Sequence, residues 1–388
     1  MPLKVGVSGL FIRTGTVGGA EFMVYNLTRG LAAEGASTTL FVRRARDLDA
    51  GFLSRLPAPG NDGLALSEIA SARNRFIAEQ RVLPRLAREA ALDVVLFANY
   101  FTPLARQPFR TVTIVHDLQY VHLPRNFSFR KRAWLRFAHR ATLRYADEVV
   151  VISHAVRDDM LRTYGAKWRA KLHVIPNPID WDRFENEPAE GVERITGGKP
   201  YVLSVASHYP HKNLRTLVRA FAIARRHLPE HRLVLAGQIG NRLRGVVLDG
   251  DLGDVIRSHG LSDSVVVSGH VTDPVLGALY RGADLFVLPS LFEGFGMPAV
   301  EALGMGLPTL TSACTSLPEV TLGKASYVDD PMDAQAWTAR IVEMVRNRSS
   351  YVPDAATVAD LRDRCAPRQV ARQYLRVLSG ESAARRMT

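Results

Sequence analysis

The feature that most constrains the fold is a repeated alternation between short apolar runs and longer stretches with a helical spacing of apolar residues. After the first run, for example, Met23, Leu27 and Leu31 recur every four residues, as on one face of a helix. Alternation of this kind predicts parallel β-sheets with helices on both faces, and therefore the α/β class. The runs predicted as strands are 4–8, 38–42, 93–97, 111–115, 148–152, 172–175, 201–206, 232–237, 264–269 and 284–289.

The alternation stops once and then restarts, which indicates two domains, and 388 residues are enough for two α/β domains. The interruption is the polar stretch 185–199, which contains Gly197-Gly198 and follows the proline-restricted segment 176–178. We therefore predict a hinge there, between an N-terminal domain of residues 1–180 and a C-terminal domain of residues 199–366.

The composition is that of an ordinary globular protein, with 47% apolar and 23% charged residues. No apolar run reaches the roughly 18 residues of a transmembrane helix, and the N-terminus begins with a strand pattern instead of a signal peptide. Cys314 and Cys365 have no metal-binding or redox spacing, so we expect reduced thiols in a cytoplasmic protein. The net charge of +12 favours anionic partners, namely nucleotides, phospholipid surfaces and, as the weakest candidate, nucleic acid.

The stretch 290–301 contains the strongest candidate binding element. It follows the apolar run 284–289, carries Gly294 and Gly296, and continues into a predicted helix with Pro298 near its start. A helix N-terminus offers unpaired amide groups and a partial positive charge, and glycines let a ligand approach the main chain closely. The stretch therefore predicts a phosphate-binding turn between a strand and a helix.

Two carboxylates, Glu293 and Glu301, bracket this turn. They would repel a diphosphate unless they bind hydroxyl groups, and a nucleotide sugar supplies both sugar hydroxyls and a ribose diol. The residues between them, Gly-Phe-Gly-Met-Pro-Ala-Val, make the stretch similar to the donor-site motif of retaining glycosyltransferases of family 4. An ordinary turn with two surface glutamates is the alternative interpretation.

The resemblance implies the GT-B fold, in which two Rossmann-like domains face each other across a cleft. A C-terminal helix, here within about 367–388, would pack back on the first domain. The resemblance also implies that Glu293 lies beside the transferred sugar and that Glu301 holds the ribose. Main-chain contacts to the donor would come from Gly294, Phe295 and Gly296.

Further donor contacts follow from the same resemblance. The nucleobase would lie near Val271 and Asp273, and Lys212, at a predicted helix entrance, would meet the diphosphate. The family has an arginine five residues before this lysine, whereas this chain has Ser207. Either Lys212 and helix N-termini balance the diphosphate, or a nearby histidine or another arginine substitutes.

Gly18 and Gly19 form a second loop of a size that suits a phosphate, although the dinucleotide-binding fingerprint is absent. The loop resembles the family's N-terminal Gly-Gly loop, which faces the donor diphosphate and the acceptor. A plain tight turn explains these two residues equally well.

His116 and Asp117 follow the predicted strand 111–115, at the end of the sheet where ligands of open α/β folds bind. A single histidine is more often structural, but this segment resembles the family's His-Asp segment, in which the histidine orients the reacting sugar. Asp117 would fix the imidazole or the acceptor, and Asn99, after the preceding strand, is another candidate acceptor contact. The candidate catalytic residues are therefore His116, Lys212 and Glu293.

Residues 125–144 form the most basic part of the chain, with Phe127, Phe129, Trp134 and Phe137 interleaved among the basic side chains. A basic amphipathic helix can lie on an anionic membrane surface, as in family members that glycosylate lipid-linked acceptors. A solvated helix whose aromatic side chains pack inward is the other interpretation. The basic residues are Arg125, Arg130, Lys131, Arg132, Arg136, Arg140 and Arg144.

The motif Asp249-Gly250-Asp251 imitates the metal-binding D-x-D of another glycosyltransferase fold, but it lies in a polar loop. We therefore expect no metal and no cofactor. Sequence and resemblance together predict a retaining enzyme that moves a hexose from a nucleoside-diphosphate sugar to a hydroxyl of a glycan, lipid-linked or small-molecule acceptor. The alternatives are a sugar-nucleotide epimerase of related fold, a basic polyanion-binding protein and a non-catalytic relative.

Overall fold

Two compact units make up the part of the chain that the structure describes. In this computed structural model the described residues are 1–12, 19–44, 48, 63–69, 74–184, 191–237 and 252–381. The first unit takes the described residues of Met1–Leu118, Phe129–Ile179 and Arg364–Thr388. The second unit takes those of Gln119–Ser128 and Asp180–Asp363.

Each unit contains one parallel β-sheet, which confirms the predicted α/β class. The described strands are β1 (Lys4–Ser8), β2 (Ser37–Val42), β3 (Leu64–Glu68), β4 (Val94–Phe97), β5 (Arg110–Val115), β6 (Glu148–Val151), β7 (Leu172–Val174), β8 (Tyr201–Val205), β9 (Arg232–Ala236), β10 (Val265–Gly269), β11 (Leu285–Leu288), β12 (Thr309–Ser312) and β13 (Ser326–Val328).

The connections between strands are mostly helical. The described α-helices are α1 (Gly19–Ala33), α2 (Arg75–Ile77), α3 (Leu83–Glu89), α4 (Gln119–His122), α5 (Phe129–Tyr145), α6 (His154–Tyr164), α7 (Val192–Thr196), α8 (Leu214–Ala224), α9 (Leu252–Ser258), α10 (Asp273–Gly282), α11 (Met297–Gly304), α12 (Leu317–Val320), α13 (Ala334–Arg346), α14 (Ala355–Cys365) and α15 (Pro367–Leu378). A π-helical turn, Ala78–Val82, joins α2 to α3. Short 3-10 helices are Pro124–Asn126, Ala166–Lys171, Asp182–Phe184, Pro210–Lys212 and Arg348–Tyr351. Among these described helices, none combines the length and apolar character that crossing a bilayer requires.

The sheet of the first unit has the strand order β3-β2-β1-β4-β5-β6-β7. Val5 at its centre is aligned with Thr38 on one side and Val94 on the other. The inner strands β1, β4, β5 and β6 are almost completely buried because helices cover both faces of a parallel sheet. The strand order reverses between β1 and β4, and ligands of open α/β sheets bind at the carboxyl ends of such strands.

The last helix, α15, packs against α1 of the first unit. The backbones approach closely at Gly30, where an added Cβ would lie 2.4 Å from the Pro367 carbonyl oxygen. Arg368 and Arg372 each donate a 2.7 Å hydrogen bond to the carboxylate of Glu34. This contact ties the end of the described chain to the second element of the fold.

The sheet of the second unit has the strand order β10-β9-β8-β11-β12-β13. Phe286 on β11 is aligned with Leu203 on β8 and with Thr309 on β12. Helix α13 lies against α8, where the Thr338 hydroxyl donates to the Ala220 carbonyl at 3.0 Å. In this sheet the order reverses between β8 and β11, so the loops after these two strands are the expected ligand loops.

Candidate functional sites at the ends of the two sheets

Lys212 and Glu293 meet where the strand order of the second unit reverses. Lys212 lies in the loop after β8 and Glu293 in the loop after β11, 81 residues further along the chain. The Lys212 Nζ atom donates to Glu293 Oε1 at 2.6 Å, with side chains 15% and 9% exposed. The sheet therefore brings together two of the three predicted catalytic residues.

Glu293 is held by its neighbours through both side chain and backbone. The Ser290 hydroxyl donates to Glu293 Oε1 at 2.6 Å. The Thr315 hydroxyl accepts from the Glu293 amide at 2.9 Å and donates to the Glu293 carbonyl at 2.8 Å, and the Ser316 hydroxyl donates to that carbonyl at 3.0 Å. Thr315 adopts a left-handed backbone with φ +48°, a costly conformation that often marks functional sites.

Asn213 positions Lys212 and was missed by sequence reasoning. It also has a left-handed backbone, with φ +56°, which asparagine tolerates better than most residues. Its side-chain amide donates to the carbonyls of Pro289, at 3.1 Å, and Pro331, at 2.6 Å. The Leu291 amide in turn donates to the His211 carbonyl at 2.7 Å. These bonds fix the loop after β8 to the loop after β11.

The N-terminus of α11 offers amides beside this pair. Gly296, at the N-cap, has φ +81°, and an added Cβ would lie 2.5 Å from Leu317 Cδ2. Within the described part of the chain, no group accepts from the amides of Phe295, Gly296 or Met297. An ammonium group and several unpaired amides suit a phosphate or diphosphate.

Glu301 is buried within α11 and has two protein partners. Arg183 Nη2 donates to Glu301 Oε1 at 2.6 Å, and the Tyr280 hydroxyl donates to Glu301 Oε2 at 3.0 Å. Burial raises the pKa of Tyr280 well above its usual value, and the Glu301 charge adds to this effect. Each carboxylate oxygen has a second lone pair, so a ribose diol can still donate to Glu301.

Arg183 links Glu301 to the predicted nucleobase loop. Its Nη1 atom lies 3.6 Å from Asp273 Oδ1, and its guanidinium group lies over the Phe184 ring at 4.4 Å. Asp273 is the first residue of α10, and the half-buried Val271 lies in the loop between β10 and that helix. Arg183 gave no local signal, because only its contact with Glu301, 118 residues away, makes it part of the site.

Ser207, which replaces the family's arginine, lies just beyond β8 and is partly buried. Two histidines follow it before Lys212. Burial lowers the pKa of His208, and burial together with the charge of Lys212 lowers the pKa of His211 well below its usual value. Both imidazoles are therefore neutral at pH 7, so they can donate hydrogen bonds but add no positive charge.

His116 directly follows β5 of the first unit, which ends at Val115, as predicted from the sequence. Its Nε2 atom lies 2.8 Å from the carbonyl oxygen of Ala98. Because a carbonyl can only accept, Nε2 carries the hydrogen and Nδ1 keeps a lone pair. Burial lowers the pKa of His116, opposed by the Ala98 hydrogen bond and the Asp117 charge. A neutral imidazole with an accepting Nδ1 suits a hydroxyl group.

The other predicted residues of the first unit lie near the same end of its sheet. Asn99 follows Ala98 after β4, and its carbonyl accepts from Arg75 Nη2 at 3.3 Å. Asp117 is partly buried and follows His116 directly. Gly19 is the exposed first residue of α1, whereas Gly18 lies outside the described residues.

Metal-binding side chains are not clustered in the described ranges. Across residues 1–12, 19–44, 48, 63–69, 74–184, 191–237 and 252–381, no three His, Cys, Asp or Glu side chains are arranged to hold an ion. The motif 249–251 lies outside those ranges.

Two family models together match most of the chain. The model described as Glycosyltransferase Family 4 matches residues 17–183, and the model described as Glycosyl transferases group 1 matches residues 186–362. The first range contains the site residues predicted from the sequence in the first unit, and the second range contains those predicted in the second unit.

Two curated relatives agree with the family models. The serotype-specific mannosyltransferase WbdA of Escherichia coli is 38% identical over 268 residues, which are 63% of this chain and 31% of that protein. Mannosylfructose-phosphate synthase of Agrobacterium fabrum is 32% identical over 218 residues, 54% of this chain and 46% of that protein. The chain thus matches less than half the length of these two relatives.

The fold is also that of Anabaena Alr3699/HepE, solved in complex with UDP-glucose. The TM-score is 0.72 at 17% identity, covering 97% of this chain and 100% of that one. With both halves matched by family models and the two parallel sheets in place, the chain belongs to glycosyltransferase family 4 and has the GT-B fold.

Proposed function

We propose that the chain is a retaining glycosyltransferase that moves a hexosyl group from a nucleoside-diphosphate sugar to a hydroxyl acceptor. The observation that carries this proposal is the Lys212–Glu293 pair beside the unpaired amides of α11. A cation and amides suit the diphosphate, and a carboxylate at the same place suits a sugar hydroxyl. A phosphate-binding turn alone would not need Glu293.

In this proposal, Lys212 exchanges its carboxylate partner for the diphosphate when the donor binds. Lys212 and the amides of α11 then stabilise the negative charge that develops on the leaving diphosphate, an effect that is commonly the largest in catalysis. Glu293 accepts a hydrogen bond from the transferred sugar, and Glu301 accepts from the ribose diol. Asp273 and the main chain at Val271 hold the base.

We assign the transfer a front-face course. The acceptor oxygen bonds to the anomeric carbon as the bond to the diphosphate oxygen breaks, and that oxygen takes the acceptor proton. The configuration of the sugar is thereby kept. His116, held neutral, accepts a hydrogen bond from the reacting sugar through Nδ1, and Asp117 and Asn99 contact the acceptor. No step uses a metal ion.

Mannose is the first sugar to test, because the names of both curated relatives contain a mannosyl group. Glucose is the second, because the solved neighbour holds UDP-glucose. A thermal-shift panel of UDP, GDP, TDP and ADP sugars would identify the donor. A ligand at about 100 times its dissociation constant adds about 2.7 kcal/mol of stability.

The compound that stabilises the protein would then be tested for transfer. Retention predicts that product and donor share one anomeric configuration by NMR, and inversion would contradict the mechanism. An epimerase would convert the donor without any acceptor. A polyanion-binding protein would show steeply salt-dependent binding and no response to nucleotide sugars.

Peripheral contact with an anionic membrane is a further part of the proposal. Trp134 of α5 packs inward on Phe101, with ring centroids 5.1 Å apart, so the inward-packing interpretation holds for that ring. Phe137 also contacts the Trp134 ring, with centroids 5.7 Å apart, but it is 46% exposed, and Phe129 on the same basic helix is 80% exposed. Sedimentation with anionic liposomes that falls in a Phe129→Ser, Phe137→Ser variant would support membrane contact, and no sedimentation would contradict it.

A further inference from the structure

We propose that Arg75 and Asn99, with Glu79 as the counter-ion of Arg75, form an acceptor subsite in the first unit that binds a phosphate on a hydroxyl-bearing molecule. The inference rests on the proposed glycosyl transfer and names the chemical class of its acceptor. None of the family motifs in the sequence includes Arg75 or Glu79, so the subsite emerges only from the tertiary contacts.

The subsite lies where the strand order of the first sheet reverses. Arg75 Nη2 donates to the carbonyl of Asn99, and His116 Nε2 donates to the carbonyl of Ala98, at 3.3 and 2.8 Å. The guanidinium group and the candidate catalytic imidazole therefore bond consecutive carbonyls of one segment after β4. A molecule bound to Arg75 lies next to the segment that holds His116.

The Arg75–Glu79 pair is built into the fold. Arg75 Nε donates to Glu79 Oε1 at 2.9 Å, with side chains 27% and 5% exposed. The pair spans the junction of α2 with the π-helical turn Ala78–Val82, and such turns are frequent at functional sites. Gln80 anchors this turn, donating to the Thr102 carbonyl at 3.1 Å and accepting from the Leu104 amide at 2.9 Å.

The arrangement leaves Arg75 able to bind an anion. Its Nε and Nη2 atoms are engaged, but within the described ranges no residue accepts from Nη1. Burial raises the pKa of Glu79, opposed by the charge and the hydrogen bond of Arg75. A guanidinium group with free N–H groups favours phosphate.

Asn99 supplies a hydroxyl-binding atom beside the guanidinium group. Its side-chain oxygen is shielded from solvent and has no hydrogen-bond partner among the described residues. Buried polar atoms are nearly always paired, so this acceptor calls for a donor beyond the described residues. A ligand hydroxyl supplies one. Phosphate and hydroxyl together describe a sugar phosphate or the headgroup of a phosphoinositide.

The test uses the 388-residue chain saturated with a nucleoside diphosphate, so that added phosphate compounds cannot occupy the donor loops. Binding of inorganic phosphate, a hexose 6-phosphate and the unphosphorylated hexose is measured by calorimetry. The wild-type protein is expected to bind the hexose phosphate most tightly. Vesicles containing a phosphoinositide, with neutral vesicles as reference, show whether the phosphate comes from a lipid.

Three variants separate recognition from folding. Arg75→Gln is expected to weaken hexose phosphate binding by about 10- to 100-fold, the usual effect of a hydrogen bond to a charged group. The matched control, Arg85→Gln, removes an exposed i,i+4 pair with Glu89 in the adjoining helix and should change binding less than about twofold. Glu79→Gln removes the competing charge and should bind phosphate at least as tightly as the wild type.

Several outcomes would overturn the subsite. These are equal affinities for the wild type and Arg75→Gln, a loss in Glu79→Gln as large as in Arg75→Gln, or no phosphate-dependent binding to the nucleotide-saturated wild type. If nucleoside diphosphates themselves fail to bind, the proposed glycosyl transfer fails instead. The two failures are thus told apart.

Discussion

The Lys212 ammonium nitrogen lies 2.6 Å from Glu293 Oε1. The residue proposed to bind the diphosphate and the residue proposed to bind the sugar are therefore each other's counter-ion. The carboxylate also keeps a hydrogen bond from Ser290 at 2.6 Å. In the proposed mechanism, an incoming donor therefore replaces the carboxylate partner of Lys212 by its diphosphate. The pairing with Glu293 holds the ammonium group in position before the donor arrives.

Replacing Lys212 by methionine should lower kcat by about 10²- to 10³-fold, because the leaving diphosphate loses its cation. Steady-state kinetics with the identified donor measures the effect, and calorimetry measures the affinity for the nucleoside diphosphate. The exposed Lys324 of the same unit, changed to methionine, is the control. Full activity in Lys212→Met would remove the charge role assigned to this residue.

Gly296→Ala should destabilise the second unit more than Gly306→Ala. Both glycines have a left-handed backbone, with φ +81° and +78°, so both substitutions cost about 1 kcal/mol for the conformation. The new Cβ at Gly296 would contact Leu317, whereas a new Cβ at Gly306 has no neighbouring atom of the described residues within 4 Å. Crowding adds about 1–3 kcal/mol at Gly296.

Urea denaturation measures this difference, and donor affinity should fall for Gly296→Ala alone. If both variants lose equal stability, Leu317 yields to the new methyl group and the tight fit at the turn is unimportant.

Arg183→Met should destabilise the protein by about 3 kcal/mol, because it leaves the buried Glu301 carboxylate without its cation. Arg183 and Glu301 have side chains only 5% and 4% exposed. Adding Glu301→Gln should recover part of the loss, since the buried charge is then gone. Chemical denaturation of the two single variants and the double variant gives the coupling. Additive losses would mean that the two side chains do not stabilise each other.

His139 should make the protein less stable in acid. Burial lowers its pKa to about 4, from an ordinary value of 6.5. Below pH 6.5 this histidine therefore binds a proton in the unfolded chain but not in the folded chain, so the free energy of unfolding falls as the pH falls. The loss from this group between pH 7 and pH 5 should be about 2 kcal/mol.

Denaturation at pH 7 and pH 5 tests this, with His139→Gln expected to show a loss smaller by about that amount. The exposed His154, changed to glutamine, serves as the comparison in the same unit. A wild-type pH dependence retained in full by His139→Gln would show that other groups cause it.

The sequence alone predicted the two parallel sheets and the family, and the fold and the comparisons confirm both. Strong local signals made this possible. Strands β4 and β11, for example, consist entirely of buried apolar residues, a pattern that the sequence shows directly. The strand β3 was missed because its residues are mostly exposed and lack an apolar run. It is recognisable as a strand only from its pairing with β2 in the structure. The three-residue β13 was missed for its shortness.

The predicted site residues followed from local motifs as well, since the turn at 290–301 and the His-Asp pair are each contiguous in the chain. What positions them is not contiguous. Thr315 holds Glu293 across 22 residues, Asn213 reaches Pro331 across 118, and Arg183 reaches Glu301 across 118. The sequence determines periodicity and turns because these depend on near neighbours. Only the tertiary structure decides which distant side chain supplies the counter-ion or hydrogen bond, because that depends on which strands become adjacent.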